Sequence, residues 1–293
     1  MQKNYILLTN DDGVSAVGIT SLAKALSGRG YRIVILAPKA DRSATGMSIT
    51  LRSELSMSEH QNLAESIGGE TRVFSLDGSP CDCIIVGLSG ALRDKIPDSE
   101  PMLCVSGINL GPNLSVDVLH SGTVGAAREA ALYGLPSLAT SLCEFESSGL
   151  DSAVDASVKV IEQLLTLIPP KAGNLLRPQL GEYSENGNSE SCNTLNAYCR
   201  GDIFLNLNVP KDWNGEIENT RIGMRWYRNA LHRGVNGDSY SIDGAEIISQ
   251  PVGGCDVAAV ESGSASLSPC QTWPDSHPLS ISLESLQRPL IFE

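Results

Sequence analysis

The chain has 293 residues, 41% of them hydrophobic and 19% charged, with a formal net charge of −13. That apolar content supports one large domain, or one domain with an appendage. The acidic balance argues against wrapping nucleic acid or coating an anionic membrane, but a small anionic ligand stays compatible wherever a metal or local positive charge offsets the field.

Residues 4–9 (NYILLT) have the apolar content of a strand, and 17–28 (VGITSLAKALSG) have apolar positions at helical spacing, ending at Gly28. YRIVILAP is a second strand, stopped by Pro38. Strand, helix and strand joined by short connections predict a parallel sheet covered by helices. TRVFSLDGSP adds a strand and a turn, CDCIIVGLSGAL a helical segment, and PMLCVSGIN a buried strand. GTVGAAREAALYG is an Ala-rich helix closed by Gly134, PSLATSL a strand, and LDSAVDASVKVIEQLLTLI a long amphipathic helix. After Pro169-Pro170 the chain turns polar, and 171–200 are expected to form a surface insertion. IFLNLNVP follows as a core strand, 221–250 as an extended hairpin arm, and DVAAVESGSASLSPC as a helix, a turn and a last strand. The expected organisation is a catalytic core over 1–170, the polar insertion over 171–200, and C-terminal strands, arm and closing segment over 201–293 completing the same domain.

No apolar run reaches the length of a membrane span, and MQKNYILLTNDD lacks the apolar region and cleavage site of a signal peptide. The expectation is a cytoplasmic protein. Its eight cysteines form no CxxC pair and are expected to be reduced thiols acting as small hydrophobes.

In open α/β sheets ligands bind outside the carboxyl ends of the strands, and three such ends are unusual here. The first strand runs into TNDDG, where Asp11 and Asp12 stand side by side. Two carboxylates turned to one point repel unless a proton or a cation lies between them. The second strand runs into APKADRSATGMSIT, with Ser43, and LCVSG runs into INLGPN, with Asn109. Asp11, Asp12, Ser43 and Asn109 are hard oxygen ligands, a set that suits Mg²⁺, Mn²⁺ or Ca²⁺ better than zinc or copper. Ser121, Gly122 and Thr123 stand at a helix start, where N–H groups and the helix dipole favour an anion, and Asn113 adds a donor. A divalent cation beside an anion site suggests phosphate ester hydrolysis.

Taken together, TNDDG, APKADRSATGMSIT, SGINLGPN and HSGTVGAAREAALYG resemble the SurE (survival protein E) family, metal-dependent phosphatases of nucleoside 5′-monophosphates. The resemblance runs through roughly residues 4–145, with weaker matches at IFLNLNVP and DVAAVESGSASLSPC. It implies a Rossmann-like three-layer core of mostly parallel strands, and a C-terminal extended arm used in homodimer or dimer-of-dimers formation. It implies one divalent cation per subunit, Mg²⁺ or Mn²⁺, on Asp11, Asp12, Ser43 and Asn109, with phosphate against Ser121, Gly122 and Thr123. Met47 stands where many members carry His, His120 where Tyr is common, and SLSPC replaces a pattern closer to SITPL.

On this basis the expected reaction is hydrolysis of nucleoside 5′-monophosphates, with Asp11 and Asp12 as the catalytic pair and Asp12 orienting or deprotonating water. Arg42 is a candidate phosphate contact. An aspartyl-phosphate route usually needs two aspartates one residue apart, and here the pair is adjacent. The alternative from another class is a nucleotide-binding module without catalysis, which gains nothing from two carboxylates beside a phosphate unless a metal is present.

Overall fold

The computed structural model describes residues 3–168, 190–234, 238–242 and 245–274. β1 (Lys3–Thr9) sends Tyr5 and Leu7 to one face and Ile6 and Leu8 to the other, and all four are buried. A parallel strand covered on both sides requires this unbroken apolar run. α1 (Val17–Ser27) leads to β2 (Ile33–Pro38), buried at every position. A short strand β3 (Met57–Glu59) and α2 (Gln61–Ile67) precede β4 (Thr71–Leu76). α3 (Pro80–Val86) begins with a capping box: Asp82 N–H donates to Ser79 Oγ, the Ser79 N–H donates to the Asp82 carboxylate, and Pro80 opens the first turn. A π-helical turn, Gly87–Ala91, continues into α4 (Leu92–Lys95) and β5 (Ser99–Leu110). α5 (Asp117–His120), α6 (Gly122–Leu132), β6 (Ser137–Leu142) and α7 (Leu150–Leu167) follow.

The polar stretch expected over 171–200 ends in a helix, α8 (Glu190–Arg200), which buries Tyr198 against the core. Residues 171–189 of that stretch lie outside the described residues. β7 (Ile203–Val209) then enters the sheet, and β8 (Ile217–Asn219) lies at its far edge. β9 (Met224–Arg228) and β10 (Leu231–Arg233) run out along the arm; β11 (Tyr240–Ile242) and β12 (Glu246–Gln250) return antiparallel to them. α9 (Asp256–Glu261) and β13 (Ala265–Gln271) complete the order.

The nine-stranded sheet has the order β3-β4-β2-β1-β5-β6-β7-β13-β8. The six strands from β4 to β7 are parallel; β3 and β13 are antiparallel to β4 and β7. Ile19 and Leu22 of α1 and Val158 and Ile161 of α7 cover one face. Cys83 and Ile84 of α3 and Ala126 and Ala130 of α6 cover the other. This is the expected three-layer α/β architecture with its hairpin arm. β1 has β2 on one side and β5 on the other, so strand order reverses between β1 and β5. Their carboxyl ends form the crevice where such sheets bind ligands, and both TNDDG and the Asn109 segment open there.

Candidate active site

Asp11 leaves the end of β1 and lies against the start of α6. It is buried, and its carboxylate accepts two hydrogen bonds from Thr123: one from the hydroxyl, at Oδ1, and one from the backbone N–H, at Oδ2, 3.1 Å. Gly122 makes the approach possible, because a Cβ there would lie 2.9 Å from both Asp11 Cβ and Asp11 Oδ2. Burial pushes the Asp11 carboxyl above the usual range, opposed by the bonds from Thr123.

Asp12 turns toward the end of β5. Its Oδ2 is buried and has no hydrogen-bond partner. Its pKa is pushed up to about 7, first by burial and then by the carboxylates of Asp11 and Asp41, against one lowering contribution from the Leu110 backbone. Among the described residues no ion pair reaches Asp11 or Asp12. Asn109 donates its side-chain N–H to the Gly111 carbonyl, 2.8 Å, which turns its amide oxygen away as the remaining acceptor.

The third segment is brought in by its backbone. Arg42 N–H donates to the Asp11 carbonyl, 2.7 Å. Ser43 is exposed, and both its N–H (2.8 Å) and its hydroxyl (2.6 Å) donate to Asp41 Oδ1. The hydroxyl oxygen keeps its lone pairs as acceptors. Asp41 was not singled out from sequence; its signal was its place two residues before Ser43, the spacing of an Asx turn. The far end of this loop is held by Asp82: Thr50 N–H and Oγ1 donate to its two carboxylate oxygens at 2.8 and 2.7 Å, and Ser79 Oγ donates to the Ser48 carbonyl, 2.6 Å.

The helix start is less open than the sequence implies. Thr123 N–H is taken by Asp11, and Val124 N–H donates to the Ser121 hydroxyl, 3.0 Å. Asp11 itself is therefore the anion set against the α6 dipole; both Thr123 donors are taken by it, and the helix start keeps the Gly122 N–H and the Ser121 hydroxyl hydrogen for another acceptor. Asn113 is buried in a polar knot that sequence did not reveal. Its N–H donates to Asn208 Oδ1 (2.8 Å) and its side-chain amide to Ser141 Oγ (2.8 Å), while Asn206 and Asn208 donate to its carbonyl at 2.9 and 3.1 Å. The two asparagines of IFLNLNVP thus fix the loop that follows β5. One hydrogen of the Asn113 amide is committed to Ser141 and one remains. His120 is exposed, and its carbonyl accepts from the Gly46 N–H, 2.8 Å.

Carboxylate ligands of a divalent cation must be ionised, and they compensate its charge. Two adjacent carboxylates, one with a buried unbonded oxygen and neither with a protein cation to neutralise it, meet that requirement, and Ser43 and Asn109 add neutral oxygens. Among the described residues no group of three or more His, Cys, Asp or Glu forms a separate metal cluster.

The family model for "Survival protein SurE" matches residues 6–230. The chain belongs to the SurE family. A protein of Synechococcus sp. (strain JA-3-3Ab) named 5′-nucleotidase SurE is 34% identical over 290 residues, covering 97% of this chain and 96% of its own. One of Prochlorococcus marinus (strain MIT 9313), with the same name, is 32% identical over 279 residues, covering 91% and 90%. The crystal structure of the SurE protein from Aquifex aeolicus superposes with a TM-score of 0.65 at 25% identity, over 97% of this chain and 96% of that one. The fold expected from the resemblance is the fold observed.

Proposed function

We propose that this SurE chain is a divalent-cation-dependent 5′-nucleotidase that hydrolyses nucleoside 5′-monophosphates to nucleoside and phosphate. The observation that carries this is the buried, unbonded Asp12 Oδ2 beside the Thr123-clamped Asp11, at the crevice between β1 and β5. Asp11, Asp12, Ser43 and Asn109 hold one cation, Mg²⁺ or Mn²⁺. When bound, it polarises a phosphoryl oxygen and makes water a better nucleophile. Ser121, Gly122 and the free amide hydrogen of Asn113 hold the phosphate in line for attack, while Thr123, its donors committed to Asp11, positions that carboxylate. Asp12 accepts a proton from the attacking water as the new P–O bond forms; the bond to the 5′ oxygen breaks, that oxygen takes a proton from solvent, and Asp12 returns its own to solvent. Asp11, held by Thr123, stays an unprotonated ligand.

Seven described cysteines are free, which suits a reducing cytoplasm. No described helix is long and apolar enough to cross a membrane. The arm exposes Met224, Tyr227, Leu231, Tyr240, Ile242 and Ile247, a surface that suits pairing with a second copy of the chain.

The test is phosphate release from a panel of nucleoside 5′- and 3′-monophosphates with Mg²⁺, with Mn²⁺ and with EDTA, on wild type and Asp12→Asn. Cation-dependent release with a 5′ preference, abolished by EDTA and lowered at least about 100-fold in Asp12→Asn, is the expected result. Nucleotide binding without release under any cation would leave a binding module.

A further inference from the structure

Phe145 lies beside this site with its ring in solvent. It is 75% exposed, and among the described residues outside the arm it is the only aromatic side chain so open. Its place is fixed by the backbone around it. Gly111 N–H donates to the Leu142 carbonyl (3.0 Å) and Cys143 N–H to the Val209 carbonyl (2.8 Å), so the turn after β6 is pinned to the ends of β5 and β7. Gly149, at φ 89, closes that turn tightly against Lys211. The ring covers Gly111: a Cβ built there would lie 3.0 and 3.2 Å from Phe145 Cε1 and Cδ1, and 3.6 Å from Asn109 Nδ2. One point in space is therefore shared by the phenyl ring and the Asn109 side chain, and Gly111, at φ 128, leaves that point empty. An open apolar ring contributes little to the fold, because little of its area is removed from water. Beside a phosphate site it has another use.

We propose that Phe145 is the stacking platform for the base of the nucleotide, a specificity-determining residue; this rests on the nucleotidase reading of the same site. Phosphate is held at Ser121 and Gly122 and by the cation at Asp11, Asp12, Ser43 and Asn109. The ribose leads away from it, and Phe145, one side chain beyond Asn109, meets the base face to face. Every base offers a π-face, so such a platform accepts several bases while separating nucleotides from base-free phosphate esters. The loop around the ring carries Glu144 and Glu146.

The test compares adenosine 5′-monophosphate with ribose 5-phosphate, which lacks the base, on wild type, Phe145→Ala and Phe145→Trp at saturating Mg²⁺ or Mn²⁺. The expected result is a KM for the nucleotide raised about tenfold in Phe145→Ala, with kcat within about twofold. The KM for ribose 5-phosphate moves less than about twofold, and Phe145→Trp restores nucleotide KM. Equal loss on both substrates would mean that the ring only props Asn109, and no loss on either would mean that the base lies elsewhere; each overturns the proposal. So would a change in the mass of Phe145→Ala by light scattering, which would assign the ring to a subunit contact. Wild-type turnover is the separate check on the nucleotidase reading: its absence with every nucleotide sinks that reading first, whereas the platform fails on the ratio between the two substrates.

Discussion

Thr123 is the residue that holds Asp11 in place. Its hydroxyl and its N–H both serve Asp11, so one side chain at a helix start orients one carboxylate from a different segment. Thr123→Val keeps shape and β-branching and removes only the hydroxyl, leaving Asp11 Oδ1 buried without that donor. A buried acceptor stripped of its partner costs about 1–3 kcal/mol. The expected outcome is a fall in kcat/KM of about 10- to 100-fold in Thr123→Val, while Thr123→Ser, which keeps the hydroxyl, stays within about fivefold of wild type. Steady-state phosphate release on the three proteins checks it, and equal loss in Ser and Val would show that the hydroxyl is not what matters. Asp12 differs in kind: its Oδ2 has no hydrogen-bond partner, and with a hydrogen bond from the Leu110 backbone as its one such support, its substitution chiefly removes charge. The two positions are therefore distinguishable: Asp12→Asn is expected to remove the response to cation, and Thr123→Val to weaken it.

The loop from β2 to β3 brings Ser43 to the site, and the start of α3 holds its far end. Asp82 accepts from Thr50 twice and from Ser79 once, within the capping box. Asp82→Asn keeps the volume but places an N–H₂ where two donors now point. Losing part of a charged hydrogen-bond set, about 1.5–3 kcal/mol, loosens the loop that presents Ser43. The predicted result is a cation concentration for half-maximal rate raised about tenfold or more, with kcat at saturating cation within about threefold. Loss of kcat with unchanged cation dependence would contradict this. Asp82 lay in the segment CDCIIVGLSGAL, where only a helix was legible. Its partner Thr50 is 32 positions earlier, and no local pattern reports a contact over that separation. The same distance in sequence hid the Asn113–Asn206–Asn208 knot and the Asp41 carboxylate's effect on Asp12. What was legible was what period and punctuation encode: the parallel strands, α1, α6 and α7, and the strand ends that carry Asp11, Asp12 and Asn109. The three-residue strands β3 and β8 and the four-residue α5 were not, because so few residues carry no period. The arm was legible from its turn signals. Its attachment was not: Ser115 N–H and Gly223 N–H donate to the two oxygens of Asp256, and Tyr227 OH donates to Asp117 Oδ1.

At the scale of the molecule, a chain of net charge −13 brings three carboxylates to one crevice, where burial and then the charges of Asp11 and Asp41 push the Asp12 carboxyl up, and burial with the charge of Asp41 does the same at Asp11. Buried like charges strain the cation-free fold, and a ligand that binds the folded state alone stabilises it by mass action, about 2.7 kcal/mol at a concentration 100 times its Kd. For a chain of this size that corresponds to a melting temperature higher by on the order of 5 °C. Two effects of opposite sign follow from one substitution. Wild type is expected to melt higher in Mg²⁺ or Mn²⁺ than in EDTA. Above pH 7, where the Asp12 carboxyl is ionised, Asp12→Asn is expected to melt above wild type in EDTA, because one of the uncompensated charges is gone, and to gain almost nothing from either cation. Differential scanning calorimetry on both proteins, with and without cation, measures all four values. An Asp12→Asn protein that melts below wild type in EDTA would mean that Asp12 holds the fold together by a contact of its own, and the cation would then not be what the acid pair is built around.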